Sequence, residues 1–114
     1  MVRVKRGTAV RKRHKKVIKM AKGYRGVRNS AYSHAKIAVM KAGMNAYKDR
    51  RNKKRTFRRL WNLRINAAVR AAGMNYSRFI HALYVKRVSL NRKVLSNLAI
   101  SHPKVFDNVV KFVK

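Results

Sequence analysis

Two runs of basic residues are the groups in this sequence whose types and spacing could do chemistry. The first reads RKRHKK at residues 11–16, and the second reads RRNKKR at residues 50–55. Neither run contains an acid, whereas a helix face that is only solvated usually mixes both signs. Lysine and arginine clusters of this kind neutralise phosphates and release the counterions condensed on nucleic acids. The chemistry that these residues predict is therefore the binding of a phosphate polymer.

The charge of the whole chain supports the same prediction. Its 114 residues include 32 Lys and Arg but only two acids, which gives a net charge of +30. Self-repulsion at this density opposes a compact state unless a polyanion cancels it, and nucleic acid is the leading candidate. A membrane is the rival polyanion, but a spanning helix needs about 20 apolar residues. The longest stretch without a charged residue is 94–103, so no membrane partner is expected.

The residues that enzymes use are scarce in this chain. The only carboxylates are Asp49 and Asp107, and the basic neighbours of Asp49 favour a structural or ion-pair role for it. There is no cysteine, no glycine-rich phosphate loop, and no metal-ligand spacing among the histidines. The sequence therefore predicts no enzyme, no metal and no cofactor. The four histidines are His14, His34, His81 and His102.

The elements that must position the basic residues divide the chain in two. Residues 1–55 carry 20 basic residues and one acid, net +19, and residues 56–114 carry 12 and one, net +11. Large apolar residues become dense from Phe57 onward. We predict a basic arm over residues 1–56 and a small globular domain over residues 57–114.

The arm is predicted to contain an extended lead-in, a short helix and the start of a long one. The lead-in covers Val2–Gly7, and the short helix Ala9–Lys22 has Thr8 as N-cap and Gly23 as its stop. A turn at residues 23–26 follows. The apolar face of the short helix is predicted to consist of Val10, Val17, Ile18 and Ala21.

The long helix is predicted over Ala31–Ala72, with Ser30 as its cap and Gly73 as its stop. Unbroken, it would reach about 63 Å, and Gly43 is a position where it could bend. Its second half carries an apolar stripe that a core must cover. The stripe contains Phe57, Leu60, Trp61, Ile65, Ala68, Val69 and Ala72.

Three shorter helices are predicted to cover this stripe: Tyr76–Lys86, Arg92–Ile100 and Pro103–Val113. Asn75 or Ser77 caps the first and Asn91 the second. The fold class is therefore all-α, with a basic arm leading into a small helical bundle. The covering residues are Phe79, Ile80, Leu83, Val94, Leu95, Leu98, Phe106, Val109 and Val110.

Contacts with phosphate and sugar are predicted for basic residues of the arm and for helix starts in the bundle. Tyr24, in the turn, is the candidate for stacking on a base, whereas the spacing of Phe57 and Trp61 favours core packing over stacking. The predicted contact residues are Arg3, Lys5, Arg6, Arg11, Lys12, Arg13, Lys15, Lys16, Lys19, Lys22, Tyr24, Arg25, Arg28, Arg50, Arg51, Lys53, Lys54, Arg55, Arg58, Arg59, Ser77, Arg78, Asn91, Arg92 and Lys93.

RNA is favoured over DNA as the partner. A major-groove reader would present a short recognition helix, usually in a symmetric dimer, which this pattern does not resemble. A flexible basic arm suits the crevices of folded RNA, where it can order on binding. A DNA-compacting protein and a membrane-active peptide remain the alternatives that share the charge.

Several segments resemble a known family. They are AKGYRG at residues 21–26, YKDRRNKKRTFRRLW at 47–61, RINAA at 64–68, NYSRFI at 75–80 and NRKVLSNLA at 91–99. In this order they resemble the bacterial large-subunit ribosomal protein family L-twenty over essentially the whole chain. Two departures stand out: Thr56 replaces a frequent Asp, and His102 replaces the Asp that often caps the last helix.

The resemblance implies an arm buried in ribosomal RNA and a small helical domain on the RNA surface. It implies direct binding to 23S ribosomal RNA and a need early in assembly of the large subunit, without a part in peptide-bond chemistry. Neighbouring large-subunit proteins are implied partners, no homo-oligomer is expected, and the expected location is the cytoplasmic ribosome. Whether the protein also binds its own messenger RNA, as some relatives do, stays open.

Overall fold

The computed structural model describes residue 3 and residues 5–114, and all regular structure in that part of the chain is helical. This confirms the predicted all-α class. In chain order the α-helices are α1 Gly7–Met20, α2 Tyr32–Ala71, α3 Tyr76–Val85, α4 Arg92–Ser101 and α5 Pro103–Val113, with a 3₁₀ helix Gly26–Asn29 before α2. The predicted lead-in Val2–Gly7 falls partly outside the described residues. Within it Arg3, Lys5 and Arg6 are not helical.

Both ends of α1 differ from the prediction. The helix begins at Gly7, so Thr8 lies inside its first turn, and the N-cap residue Arg6 makes no side-chain cap hydrogen bond. After the helix, the N–H of Tyr24 donates to the carbonyl of Ala21 over 3.1 Å. Gly23 lies at the third position of that turn with φ of 85°, a left-handed conformation that glycine adopts without steric cost. The turn therefore spans Ala21–Tyr24, two residues earlier than the predicted 23–26, because the helix ends at Met20 rather than Lys22.

Helix α2 is continuous through Gly43 over its 40 residues. Ser30 does not cap it. The backbone N–H of Ser30 instead donates to the carbonyl of Val27 over 3.4 Å, which closes the 3₁₀ helix, and α2 begins two residues later at Tyr32.

The end of α2 at Gly73 confirms the predicted stop. Gly73 has φ of 77°, and its N–H donates to the carbonyl of Arg70 over 3.0 Å. The N–H of Met74 donates to the carbonyl of Val69 over 3.1 Å. This pair of bonds is a Schellman motif, and Met74 adds the apolar contact that accompanies it by packing on the core that contains Val69.

The chain divides into a first compact unit that ends at Arg51 and a second that runs from Asn52 to Lys114. The second unit contains a core of eight buried residues drawn from α2, α3, α4 and α5. The rings of Phe79 and Phe106 lie 5.8 Å apart at its centre, and each residue is at most 1% exposed. The core residues are Ile65, Val69, Phe79, Leu83, Leu95, Phe106, Val110 and Val113.

The prediction extended the core too far toward the amino end of the apolar stripe of α2. Phe57 is 43% exposed, and neither it nor Leu60 nor Trp61 belongs to the core or packs against it. The reason is length, because α3, α4 and α5 are 10 or 11 residues each and so span about 15 Å. They cover the stripe only from Ile65 onward. Val94 is likewise 39% exposed rather than buried.

The first unit is held by a smaller apolar contact. The inward side of α1 carries His14, Val17 and Ile18, which are all half-buried. Ala21, just after the helix, is fully buried. Val10, predicted for this face, is instead 37% exposed. The imidazole of His14 stacks on the ring of Tyr32, with centroids 3.8 Å apart and planes 24° from parallel. His14 therefore contributes packing to this unit.

Candidate nucleic-acid interface

Helix α1 presents six predicted contact residues to solvent. The half-buried His14, Val17 and Ile18, together with Ala21 just after the helix, follow the spacing i, i+3, i+4, i+7, which leaves the other positions of each turn for cations. No acid neutralises this surface within the helix. It can therefore meet several phosphates at once. The exposed cations are Arg11, Lys12, Arg13, Lys15, Lys16 and Lys19.

Helix α2 carries the second basic surface. Among residues 40–59 every side chain is exposed except half-buried Asn52. In the first unit, the guanidinium of Arg51 lies 5.2 Å from the centre of the Tyr47 ring, a cation–π contact one helical turn apart. The predicted contact residues of this segment, all exposed, are Arg50, Arg51, Lys53, Lys54, Arg55, Arg58 and Arg59.

A groove in the second unit gathers four of these cations. Lys54, Arg55, Arg58 and Arg59 line it together with Asn62. Residues three and four apart on a helix share a face, so consecutive turns of α2 supply the cations. Asn62 adds an uncharged amide, which can donate to one group and accept from another.

Phe57 and Trp61 flank this surface as an aromatic pair. Their ring centroids lie 6.2 Å apart with planes tilted by 40°. Phe57 is exposed and Trp61 half-buried, so both keep surface that a base could stack on. The prediction that they serve core packing is wrong, for the reason of helix length given above.

The starts of α3 and α4 bring further predicted contact residues to the surface. The side chain of Asn75 accepts from the N–H of Arg78, and that of Asn91 accepts from the N–H of Val94, each over 2.9 Å. The Asn91 cap confirms its prediction, and of the two candidates Asn75 and Ser77 the first is the cap. Ser77, Arg78, Asn91, Arg92 and Lys93 are all exposed at these two helix starts.

A hydrogen-bond network joins the two helix starts to α2. The hydroxyl of Tyr76 donates to Oδ1 of Asn62 over 2.9 Å and accepts from Nε of Arg92 over 3.2 Å. Nε is one of five N–H donors of a guanidinium. The network therefore fixes the position of Arg92 beside the α2 groove, where its other donors can reach a phosphate.

The turn after α1 and the 3₁₀ helix that follows it place three predicted residues in a cleft of the first unit. Tyr24, Arg25 and Arg28 line this cleft together with Lys41 and Asn45 of α2. Tyr24 is the only one of the predicted contact residues that is half-buried, and the others are exposed.

Sequence reasoning missed four residues of these surfaces: Lys41, Asn45, Asn62 and Tyr76. A signal for the first two was present, because Lys41 and Asn45 are four residues apart and form one row on α2. Asn62 and Tyr76 are 14 residues apart in sequence, and only the packing of α3 on α2 brings them together. No local pattern predicts that pair.

The described residues contain no group of three or more His, Cys, Asp or Glu that could hold a metal ion. No helix in that part of the chain is long and apolar enough to cross a membrane. The fold and these surfaces define a small, strongly basic all-α protein whose cations face outward.

Comparison with known proteins identifies the family. The family model described as Ribosomal protein L20 matches residues 3–109. Proteins named "Large ribosomal subunit protein bL20" from Methylibium petroleiphilum, Leptothrix cholodnii and Burkholderia ambifaria are 54%, 56% and 57% identical to the chain over 114 residues. These matches cover all of this chain and 97%, 97% and 96% of the relatives. The chain belongs to the ribosomal protein L20 family, which confirms the resemblance, and this is not an enzyme family.

Proposed function

We propose that the chain is a structural RNA-binding protein of the large ribosomal subunit, that it binds 23S ribosomal RNA directly, and that it supports early subunit assembly. The names of its full-length relatives support the assignment to the large subunit. Residues 1–56 act as the RNA-penetrating arm in this proposal, and residues 57–114 as the globular domain.

The observation that carries the proposal is the exposure of the cations. Of the 25 predicted contact residues, 24 are exposed and Tyr24 is half-buried. Surface cations that neutralise phosphates release the counterions condensed on an RNA backbone, which favours binding. RNA binding therefore explains both the charge and its placement.

Salt dependence of binding tests the electrostatic part. Affinity for 23S ribosomal RNA is measured by filter retention over a series of salt concentrations, for wild type and for a variant with Arg11→Gln, Arg13→Gln, Lys15→Gln and Lys16→Gln. Each lost phosphate contact lowers the slope of log affinity against log salt by about 0.7–0.9, so the slope falls by about 3. The matched control removes four exposed charges from elsewhere: Lys86→Gln, Lys104→Gln, Lys111→Gln and Lys114→Gln.

Equal slopes for the two variants would contradict the role of α1. If duplex DNA of equal length competes as well as 23S ribosomal RNA, the protein is a general nucleic-acid binder and the specific proposal fails. Assembly is tested by reconstituting the large subunit without this protein. We expect particles to stall at an early stage, and protein added at the start to restore them better than protein added late.

A further inference from the structure

The cleft beside Tyr24 has the dimensions of a small-ligand site. It lies in the first unit between the turn after α1 and the exposed side of α2, and it has a volume of about 410 Å³. Ligand pockets in proteins span roughly 300–1,000 Å³, so this volume accommodates a single aromatic ring system.

The floor of the cleft is formed by small residues of α2. Ala38 and Ala42 lie four residues apart and so share one face of the helix. Their methyl groups leave an apolar surface with room above it. Lys41 and Asn45 repeat the same spacing three residues further along the chain and line the cleft beside that floor.

The opposite wall comes from the turn. The bond from the Tyr24 N–H to the Ala21 carbonyl and the left-handed Gly23 fix the backbone just before the aromatic ring. Tyr24 is half-buried in this position, while Arg25 and Arg28 are exposed and line the same cleft. One cleft therefore combines an aromatic side chain, an apolar floor, an amide and three cations.

We propose that this cleft binds one unpaired nucleotide of an RNA chain. The base stacks against Tyr24 above the alanine floor, and the amide of Asn45 donates to or accepts from its edge. Arg25, Arg28 and Lys41 neutralise the adjoining phosphates. A paired base has no free face to offer, so an unpaired nucleotide is the part of RNA that fits. The inference rests on the proposed RNA-binding function and adds a preference for unpaired bases.

The test uses the full chain and two RNA hairpins that differ by one nucleotide. One hairpin carries a single bulged 2-aminopurine, and the other places 2-aminopurine opposite uracil in a continuous stem. We expect the bulged hairpin to bind about 5-fold to 150-fold more tightly, because this is the gain in affinity that one base–aromatic stack provides. The 2-aminopurine fluorescence of the bulge is expected to fall on binding.

Two variants separate the cleft from general charge. Tyr24→Leu removes the aromatic face, and Ala42→Leu fills the floor, and neither changes the net charge. Both are expected to abolish the preference for the bulge without changing the salt slope. Ala46→Leu is the matched control, because Ala46 is exposed on the same helix but does not line the cleft. Helical circular dichroism checks that each variant is folded.

Every outcome decides the inference. Equal binding of both hairpins with unchanged fluorescence overturns it and leaves RNA binding intact. Binding to neither hairpin also overturns it, and the proposed function fails as well if the same protein does not bind 23S ribosomal RNA. Adenosine monophosphate offers the same base and phosphate as a free nucleotide rather than as part of an RNA chain, so it is added as a competitor. If it abolishes the fluorescence change at concentrations similar to those of the hairpin, a free nucleotide is the ligand and the assignment to RNA is wrong.

Discussion

The hydroxyl of Tyr76 donates a hydrogen bond to Oδ1 of Asn62 over 2.9 Å, linking the first residue of α3 to the last quarter of α2. Arg92, the first residue of α4, donates to the same hydroxyl. Three helices of the second unit thus meet at one oxygen atom. This arrangement stabilises the unit and also fixes a cation of the candidate interface.

Removing the hydroxyl tests this network. Tyr76→Phe keeps the ring but loses two hydrogen bonds, each contributing about 0.5–1.5 kcal/mol, so the free energy of unfolding should fall by about 1–3 kcal/mol. Urea denaturation followed by circular dichroism measures it. Tyr84→Phe is the control. Tyr84 is 83% exposed, so this substitution should change the free energy of unfolding little. Equal effects of the two substitutions would show that the network contributes nothing to stability.

The boundary of the core predicts a contrast between two aromatic residues. Phe79 is fully buried, so Phe79→Ala should lower the free energy of unfolding by about 3–5 kcal/mol. Trp61 lies outside the core, so Trp61→Ala should cost clearly less, although tryptophan is the larger side chain. Denaturation monitored at 222 nm compares them without relying on tryptophan fluorescence. A larger loss for Trp61→Ala would mean that the core extends further along α2.

A polar atom without a partner lies in the core of the second unit. Ser96 is 0% exposed, and its hydroxyl has no hydrogen-bond partner among the described residues. Burying an unsatisfied hydroxyl is unfavourable, so Ser96→Ala should raise the free energy of unfolding by about 1 kcal/mol or more. Ser101→Ala, at an exposed position of the same helix, controls for helix propensity. The prediction fails if Ser96→Ala raises the free energy of unfolding no more than Ser101→Ala does.

The end of α3 stores backbone strain at a non-glycine residue. Arg87 has φ of 52°, and its N–H donates to the carbonyl of Tyr84, while the N–H of Val88 donates to the carbonyl of Leu83. This is the Schellman pattern that ends α2 at Gly73, but with arginine in the left-handed position. Such a conformation costs an L-residue about 1–2 kcal/mol.

Replacing Arg87 with glycine should relieve that strain. We expect Arg87→Gly to raise the free energy of unfolding by about 0.5–1 kcal/mol, since the larger freedom of unfolded glycine offsets part of the gain. Lys86→Gly, one residue earlier at φ of −77°, has no strain to relieve and should not stabilise. Thermal unfolding of both variants measures the difference. A loss of stability in Arg87→Gly would contradict the assignment of strain.

The sequence determined the secondary structure because the relevant signals are local. Asn75 and Asn91 cap helices as predicted, since an N-cap bond joins residues only three positions apart. Gly73 ends α2 for an equally local reason. Where local signals were weak, at Thr8 and Ser30, the predicted caps were wrong. Charge also follows from composition alone, so the exposure of the basic surfaces could be expected before any fold was known.

Tertiary structure decided how far the core extends and which side chains meet. The apolar stripe of α2 continues to Phe57, but three helices of 10 or 11 residues can cover only the part from Ile65 onward. Likewise, the row of Lys41 and Asn45 becomes part of a cleft only because the turn at Tyr24 lies beside α2. Periodicity identifies the face of a helix, whereas its partners depend on the lengths and packing of segments distant in sequence.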